Sequence, residues 1–209
     1  MGEFLLSGPS AAPATLLFAH GAGAPMDAPW MAAFAAGLAA AGVRVARFEF
    51  AYMAARRGGV RRPPPRAETL MDEYVAAVDA LAARGKLVIG GKSMGGRVAS
   101  LVATTLGQAG TISGLVCMGY PFHPPGKPAQ LRTAHLGALS VPTLICQGTR
   151  DIFGNREEVA TYALYPAVEM HWLDDGDHDL RPRKTVSGRS FAQNLDEAVG
   201  AVAAFTMAL

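Results

Sequence analysis

The sequence has little cysteine, little net charge and no long apolar run. Its two cysteines, Cys117 and Cys146, lie in separate apolar segments without metal-ligand or redox spacing. We therefore expect reduced core residues, no metal site and no cofactor. A net charge of +2 gives no general argument for a nucleic-acid or membrane partner. No apolar run approaches the ~20 residues that a membrane-spanning helix needs.

The first residues also lack a basic stretch followed by a long apolar one, so no secretory signal peptide is predicted. Together with reduced cysteines, this predicts a cytoplasmic protein. The 209 residues are 50% hydrophobic and 17% charged, which is typical of a globular chain. A chain of this length suits one domain with a full core, here residues 1–209.

Short apolar runs alternate with amphipathic or alanine-rich segments along the chain. Strands are predicted at 15–19, 43–48, from 86 onwards, 114–118, 142–147 and 168–172, with 3–6 as a candidate edge strand. Helices are predicted at 29–41, 66–84, in a segment ending near 106, at 156–164 and 189–208, with a loop at 49–66 and a short helical turn at 130–139. This alternation predicts an α/β fold, with a mostly parallel sheet covered by helices on both faces. Sites in such folds form at the carboxyl ends of the strands.

One serine stands among small residues, between a predicted strand and a predicted helix. Residues 91–95 read Gly-Lys-Ser-Met-Gly, so Ser93 has the Gly-x-Ser-x-Gly pattern of a nucleophile elbow. Small residues are needed there because the turn is strained and packs closely on the strand and helix. The same stretch resembles the end of a phosphate-binding loop, but that motif needs a glycine where Lys86 stands. The pattern therefore favours a serine nucleophile.

A serine nucleophile needs a histidine base and an acid that orients the histidine. Asp151 and His178 follow Ser93 in the chain, and each comes just after a predicted strand. We expect these three side chains to meet at one edge of the sheet. His178 is favoured over His171, which lies inside a strand pattern. Asp151 is favoured because the acid has to approach from another loop; its competitors beside His178 are Asp174, Asp175, Asp177 and Asp179.

Two backbone N–H groups are candidates for stabilising an oxyanion. The N–H of Met94 lies at the start of a predicted helix, and the N–H of Ala22 lies in the loop His20-Gly-Ala-Gly. His20 is interpreted as a brace for this loop more than as a base. Candidate substrate-binding residues are His20, Gly21, Lys92, Tyr120, His123 and Arg57.

The segment 56–66 contains five arginines and three consecutive prolines. This composition is equally typical of a solvated basic loop without a function and of a functional segment. The functional alternative is a gate or clamp for an anionic substrate, because arginine binds carboxylate or phosphate through two parallel hydrogen bonds. The segment lacks the interleaved aromatic residues that stack on nucleic-acid bases.

Several segments together resemble one predicted group of α/β-hydrolases. They are residues 20–23, 90–97, 119–128, 148–154 and 177–178, together with Met26, Pro29 and Met31. The group includes small bacterial proteins and the hydrolase-like domains of a testis-expressed protein and of a chromatin acetyltransferase-complex subunit. More distantly, the chain is similar to dienelactone hydrolases, which carry a cysteine nucleophile instead of a serine. The resemblance implies a three-layer α/β-hydrolase fold without a large cap domain, and the triad Ser93, Asp151 and His178.

The resemblance does not imply a substrate. From these residues we expect a serine hydrolase that cleaves a small ester, thioester or lactone. One alternative is a hydrolase-fold interaction module whose triad is no longer used, and another is an acyltransferase that uses the same triad. The sequence leaves open whether the protein is a monomer or a homodimer.

Overall fold

The computed structural model describes residues 2–209, and seven of its strands form one sheet. The strands are β1 Leu5–Ser7, β2 Ala14–Ala19, β3 Arg44–Phe48, β4 Lys86–Lys92, β5 Gly114–Met118, β6 Thr143–Gly148 and β7 Val168–Leu173. Their order across the sheet is β1-β3-β2-β4-β5-β6-β7. Strand β1 is antiparallel to β3, and all the other pairs are parallel. Strand β4, which leads to Ser93, therefore lies in the middle of the sheet.

Helices cover both faces of this sheet. They are α1 Pro29–Ala40, α2 Ala51–Arg57, α3 Met71–Leu81, α4 Met94–Gln108, α5 Arg156–Val159, α6 Lys184–Ser187 and α7 Phe191–Ala208, with 3-10 turns at Ala67–Leu70 and Ala134–Ala138. Successive strand residues point to opposite faces of a sheet. Leu17 and Ile89 belong to a core that includes residues of α3 and α4, while Leu16 and Val88 belong to a core that includes residues of α1 and α7. The result is the predicted α/β-hydrolase fold in three layers, and no large cap domain covers the sheet edge within residues 2–209.

The sequence predictions were wrong at several connections. Residues 49–66 contain α2 and are not a continuous loop, because Tyr52 and Met53 are buried against the core. The helix predicted at 66–84 begins as a 3-10 turn and ends at Leu81, since Ala82 adopts the left-handed conformation with φ 44°. The helix predicted at 156–164 ends at Val159. The short helix α6 was not predicted.

The apolar helices of this fold serve to cover the sheet. Among residues 2–209, none of them combines the length and the apolar character that crossing a membrane requires.

Candidate active site

Ser93 occupies a sharp turn between β4 and α4. Its φ of 52° and ψ of −115° lie outside the conformations that a non-glycine residue commonly adopts. A Cβ atom at Gly95 would lie 2.6 Å from the carbonyl oxygens of both Ala19 and His20, and one at Gly91 would lie 2.4 Å from the Gly95 carbonyl carbon. The two glycines of the Gly-x-Ser-x-Gly pattern are therefore required by close backbone approach. The turn leaves the serine at the carboxyl end of β4.

A continuous chain of hydrogen bonds joins Ser93, His178 and Asp151. The distance is 2.8 Å between His178 Nε2 and Ser93 Oγ, and 2.8 Å between His178 Nδ1 and Asp151 Oδ2. Asp151 is fully buried, and its carboxylate also accepts hydrogen bonds from Gln147 Nε2 and from the N–H of Phe153. An acceptor at Nδ1 holds the proton there and leaves Nε2 free to accept the serine proton. Sequence reasoning missed the contributions of Gln147 and Phe153.

The ring of Phe153 also packs on His178, with 4.3 Å between ring centroids. The imidazole is thus held at Nδ1 by Asp151 and packs against the Phe153 ring. Phe153 follows Asp151 by two residues, so the same loop supplies both the acid and the aromatic contact. The sequence signals for Phe153 were its proximity to Asp151 and its place in the segment 148–154, which carries part of the family resemblance.

Lys92 holds the loop that carries His178. Its Nζ donates a 2.7 Å hydrogen bond to the backbone oxygen of His178 and lies 3.2 Å from Asp179 Oδ1. Trp30 Nε1 donates to the backbone oxygen of Asp179, and Lys92 Nζ lies 5.6 Å from the centre of the Trp30 ring. Burial lowers the pKa of Lys92, and the nearby Asp179 opposes that shift. Lys92, a candidate substrate-binding residue in the sequence analysis, is thus buried and bonded to the backbone of His178.

Replacing Lys92 with methionine is expected to lower kcat/KM for ester hydrolysis by about 10- to 100-fold. Methionine keeps an apolar chain beside Trp30 but cannot bond to the His178 carbonyl, so the histidine loop gains freedom. Ester hydrolysis and thermal unfolding of the variant are the measurements. Lys86→Met is the matched control, because Lys86 is exposed at the other end of the same strand. Equal kcat/KM for Lys92→Met and the wild type would contradict the expectation that Lys92 positions His178.

Two cavities meet at Ser93. The larger has a volume of about 700 Å³ and the smaller about 360 Å³, and Ala22, Ser93 and Phe153 border both. The larger cavity is also bordered by Met94, by several prolines and by the charged residues Arg66, Glu68, Arg97 and Arg132. The smaller is bordered by His178, Lys92, Gly21, Trp30 and Met31. A substrate bound at Ser93 can therefore extend in two chemically different directions.

The two residues whose N–H groups are predicted to stabilise an oxyanion, Met94 and Ala22, border the same cavity as Ser93. Met94 is the first residue of α4, where a helix offers no acceptor for its own N–H groups. The N–H of Ala22 donates to no protein acceptor within residues 2–209. Both residues border the larger cavity. Their role in binding an oxyanion stays a prediction.

His20, predicted to bind substrate, lies away from the cavities. Its ring is fully buried, its Nδ1 donates to the Gly21 carbonyl at 2.7 Å, and its Nε2 accepts the N–H of Phe50 at 3.2 Å. Burial lowers the pKa of His20, which keeps the ring neutral. These bonds fit a brace for the Ala22 loop and argue against substrate contact.

Three more predicted substrate-binding residues also face elsewhere. Tyr120 is fully buried and its hydroxyl donates to the backbone oxygen of Arg132. His123 is 2% exposed, with Nδ1 bonded to the Pro124 carbonyl. Arg57 forms ion pairs with Glu49 at 2.6 Å and with Asp27 at 3.0 Å. These partners satisfy all three side chains, whereas Gly21 and Lys92 do border the smaller cavity.

Comparison with known proteins agrees with this architecture. Est1E from Butyrivibrio proteoclasticus, with ferulic acid bound, superposes with a TM-score of 0.72 at 16% identity, covering 99% of this chain and 96% of that one. The dienelactone hydrolase from Anabaena variabilis gives a TM-score of 0.66 at 21% identity, covering 93% and 88%. The esterase domain of a Rhodothermus marinus protein gives 0.66 at 18% identity, covering 97% and 90%.

Identities this low demonstrate a shared fold and nothing finer. The family model described as an alpha/beta hydrolase domain matches residues 12–207, which is almost the whole sequence. This chain therefore belongs to the α/β-hydrolase domain family.

Proposed function

We propose that this protein is a serine hydrolase that cleaves a small ester, thioester or lactone through an acyl-enzyme on Ser93. The observation that carries the proposal is the hydrogen-bonded chain from Asp151 through His178 to Ser93, with both links at 2.8 Å. Each member comes from a different loop at the carboxyl ends of β4, β6 and β7. An arrangement spread over three loops has no evident structural reason, and it suits proton transfer.

In the reaction, Ser93 Oγ attacks the carbonyl carbon while His178 Nε2 takes the hydroxyl proton. The negative charge that develops on the carbonyl oxygen is stabilised by the N–H groups of Met94 and Ala22. As the intermediate collapses, the bond to the leaving oxygen or sulfur breaks and His178 returns its proton to that atom. Water then attacks the acyl-enzyme by the same route and releases the acid. Asp151 keeps the imidazole oriented and stabilises its charged form.

A second serine and histidine pair in the same protein lacks these features. Ser100 Oγ lies 2.8 Å from His135 Nε2, but Ser100 is 1% exposed and its hydroxyl donates to the Arg97 carbonyl. Burial, followed by the charge of Arg97, lowers the pKa of His135 to about 4, so this ring is a weak base. No carboxylate hydrogen-bonds to His135 in the described part of the chain. Ser100 is therefore a useful internal comparison.

Labelling with a fluorophosphonate tests the proposal directly. The reagent phosphonylates an activated serine, so we expect one adduct per chain, located on Ser93 by mass spectrometry of peptides. Ser100→Ala should label at the rate of the wild type. An unlabelled but well-folded wild-type protein would contradict the proposal and would favour the interaction module whose triad is unused.

A further inference from the structure

Three arginines and one carboxylate border the larger cavity. They are Arg66, Arg97, Arg132 and Glu68. Only Arg97 forms an ion pair with Glu68, and neither Arg66 nor Arg132 is paired with a carboxylate in the structure of residues 2–209. Positive charge therefore exceeds negative charge on this wall. An anion is the chemical complement of such a wall.

Arg97 and Arg132 lie close enough to affect each other. Burial lowers the pKa of Arg132, and the charge of Arg97 lowers it further. The Arg97 side chain is 16% exposed, and its Nε is buried without a hydrogen-bond acceptor among the described residues. Its partner Glu68 is 50% exposed and sits at the rim. An anion between the two guanidinium groups would relieve their repulsion and supply acceptors that Glu68 does not.

The position of His178 indicates which part of the substrate carries this anion. The leaving oxygen or sulfur has to receive a proton from His178 Nε2, and His178 borders the smaller cavity. The smaller cavity, with Trp30 and Met31 on its wall, therefore suits an apolar alcohol or thiol. The acyl chain is left to enter the larger cavity, past the N–H of Met94.

The spacing between Ser93 and Arg97 sets the length of that acyl chain. Ser93 is the N-cap of α4 and Arg97 follows it by four residues, which places the Arg97 backbone about 6 Å further along the helix axis. A carboxylate can reach Arg97 from the ester carbonyl across a spacer of a few methylene groups. Resting on the proposed function, we infer that the substrate is a half-ester or half-thioester of a short dicarboxylic acid, whose free carboxylate binds Arg97 and Arg132.

The first test compares two acyl groups of equal shape in the wild-type protein. Ethyl hydrogen glutarate carries the carboxylate, and ethyl glutaramate carries an uncharged amide in its place. We expect kcat/KM to be about 10- to 100-fold higher for the glutarate, from one to two charge-assisted hydrogen bonds. The corresponding pairs of succinate and adipate esters show which spacer length gives the largest preference for the carboxylate. Equal kcat/KM within all three pairs would overturn the inference.

Variants then test which side chains cause the preference for the carboxylate. Arg132→Met should lower the glutarate-to-glutaramate ratio by about 10-fold, and Glu68→Gln should raise it, because the competing carboxylate is gone. Arg84→Met is the matched control, since Arg84 precedes β4 at the opposite edge of the sheet and should leave the ratio unchanged. If Arg132→Met does not fold, the Glu68→Gln variant and the comparison of the two esters in the wild type test the inference instead.

Direct binding separates this inference from the proposed function. Calorimetry should detect binding of glutarate to the wild type but no binding of glutaramide, the uncharged diamide that carries no ester bond. Arg132→Met should weaken glutarate binding by about 10-fold. Ser93-dependent hydrolysis of neutral esters without glutarate binding would overturn the inference and leave the serine hydrolase intact. Glutarate binding without fluorophosphonate labelling would contradict the hydrolase while supporting the anion site.

Discussion

Replacing Ser93 with alanine is expected to lower kcat for ester hydrolysis by about 10⁴-fold or more. The variant lacks the atom that forms the acyl-enzyme, so only bound water could attack the substrate. Because Ser93 Oγ bonds to His178 and to no other group in the described chain, the fold should survive. Steady-state kinetics with a p-nitrophenyl ester and fluorophosphonate labelling are the measurements.

Ser93→Gly separates the chemistry of this position from its backbone strain. Alanine inherits the unfavourable φ of 52°, whereas glycine adopts positive φ without a steric penalty. Both variants should be inactive, and Ser93→Gly should be more stable than Ser93→Ala by about 1 kcal/mol. Ester hydrolysis by either variant at more than a small fraction of the wild-type rate would contradict the role of Ser93.

The sheet and the elbow were predictable because their signals are local. A central parallel strand is buried on both faces and so appears as a continuous apolar run, as in β2 and β5. The elbow is specified by Gly91 and Gly95, whose spacing reflects close backbone contacts. The sequence predicted the α/β-hydrolase fold, and the structure and the family match confirm it.

The proximity of Ser93, Asp151 and His178 followed from one rule of topology. Residues that come just after parallel strands share one edge of the sheet, so three distant positions could be brought together without any local signal linking them. Tyr120, a candidate substrate-binding residue, also follows a strand of this sheet, β5, but its side chain turns into the core. The rule places the backbone at the edge, and packing then decides where the side chain points.

Contacts between segments that are distant in the sequence could not be predicted from sequence patterns. The hydrogen bond from Lys92 to the His178 carbonyl joins residues that are 86 positions apart, and no periodic pattern in the sequence predicts it. The arginines that border the larger cavity include Arg97 and Arg132, whereas sequence reasoning considered the conspicuous run at 56–66. From that run, Arg57 is bound to carboxylates, and Arg66 does reach the larger cavity.

Helix α2 was missed because only burial of Tyr52 and Met53 by the rest of the fold stabilises so short a segment.

Replacing Gly148 with alanine should damage both stability and activity, because the loops carrying Asp151 and His178 cross at this residue. A Cβ atom there would lie 2.3 Å from the carbonyl oxygen of Gly176 and 2.4 Å from that of Asp177. Both obstacles are backbone, so the loops would have to move apart and stretch the hydrogen bond from the Arg150 N–H to Gly176. We expect a loss of about 2 to 3 kcal/mol in the free energy of unfolding. A displacement near 1 Å should also lower kcat by about 100-fold.

The matched control is Gly200→Ala in α7. A Cβ atom at Gly200 would meet no heavy atom of residues 2–209 within 4 Å, apart from its own helical neighbourhood. Alanine in a helix interior stabilises relative to glycine, so this variant should gain about 0.5 to 1 kcal/mol and keep full activity. Chemical denaturation measures both variants, and ester hydrolysis at a temperature where both are folded isolates the catalytic effect. If Gly148→Ala were as stable and as active as the wild type, the close crossing of the two loops would be contradicted, and with it the basis on which Asp151 is positioned against His178.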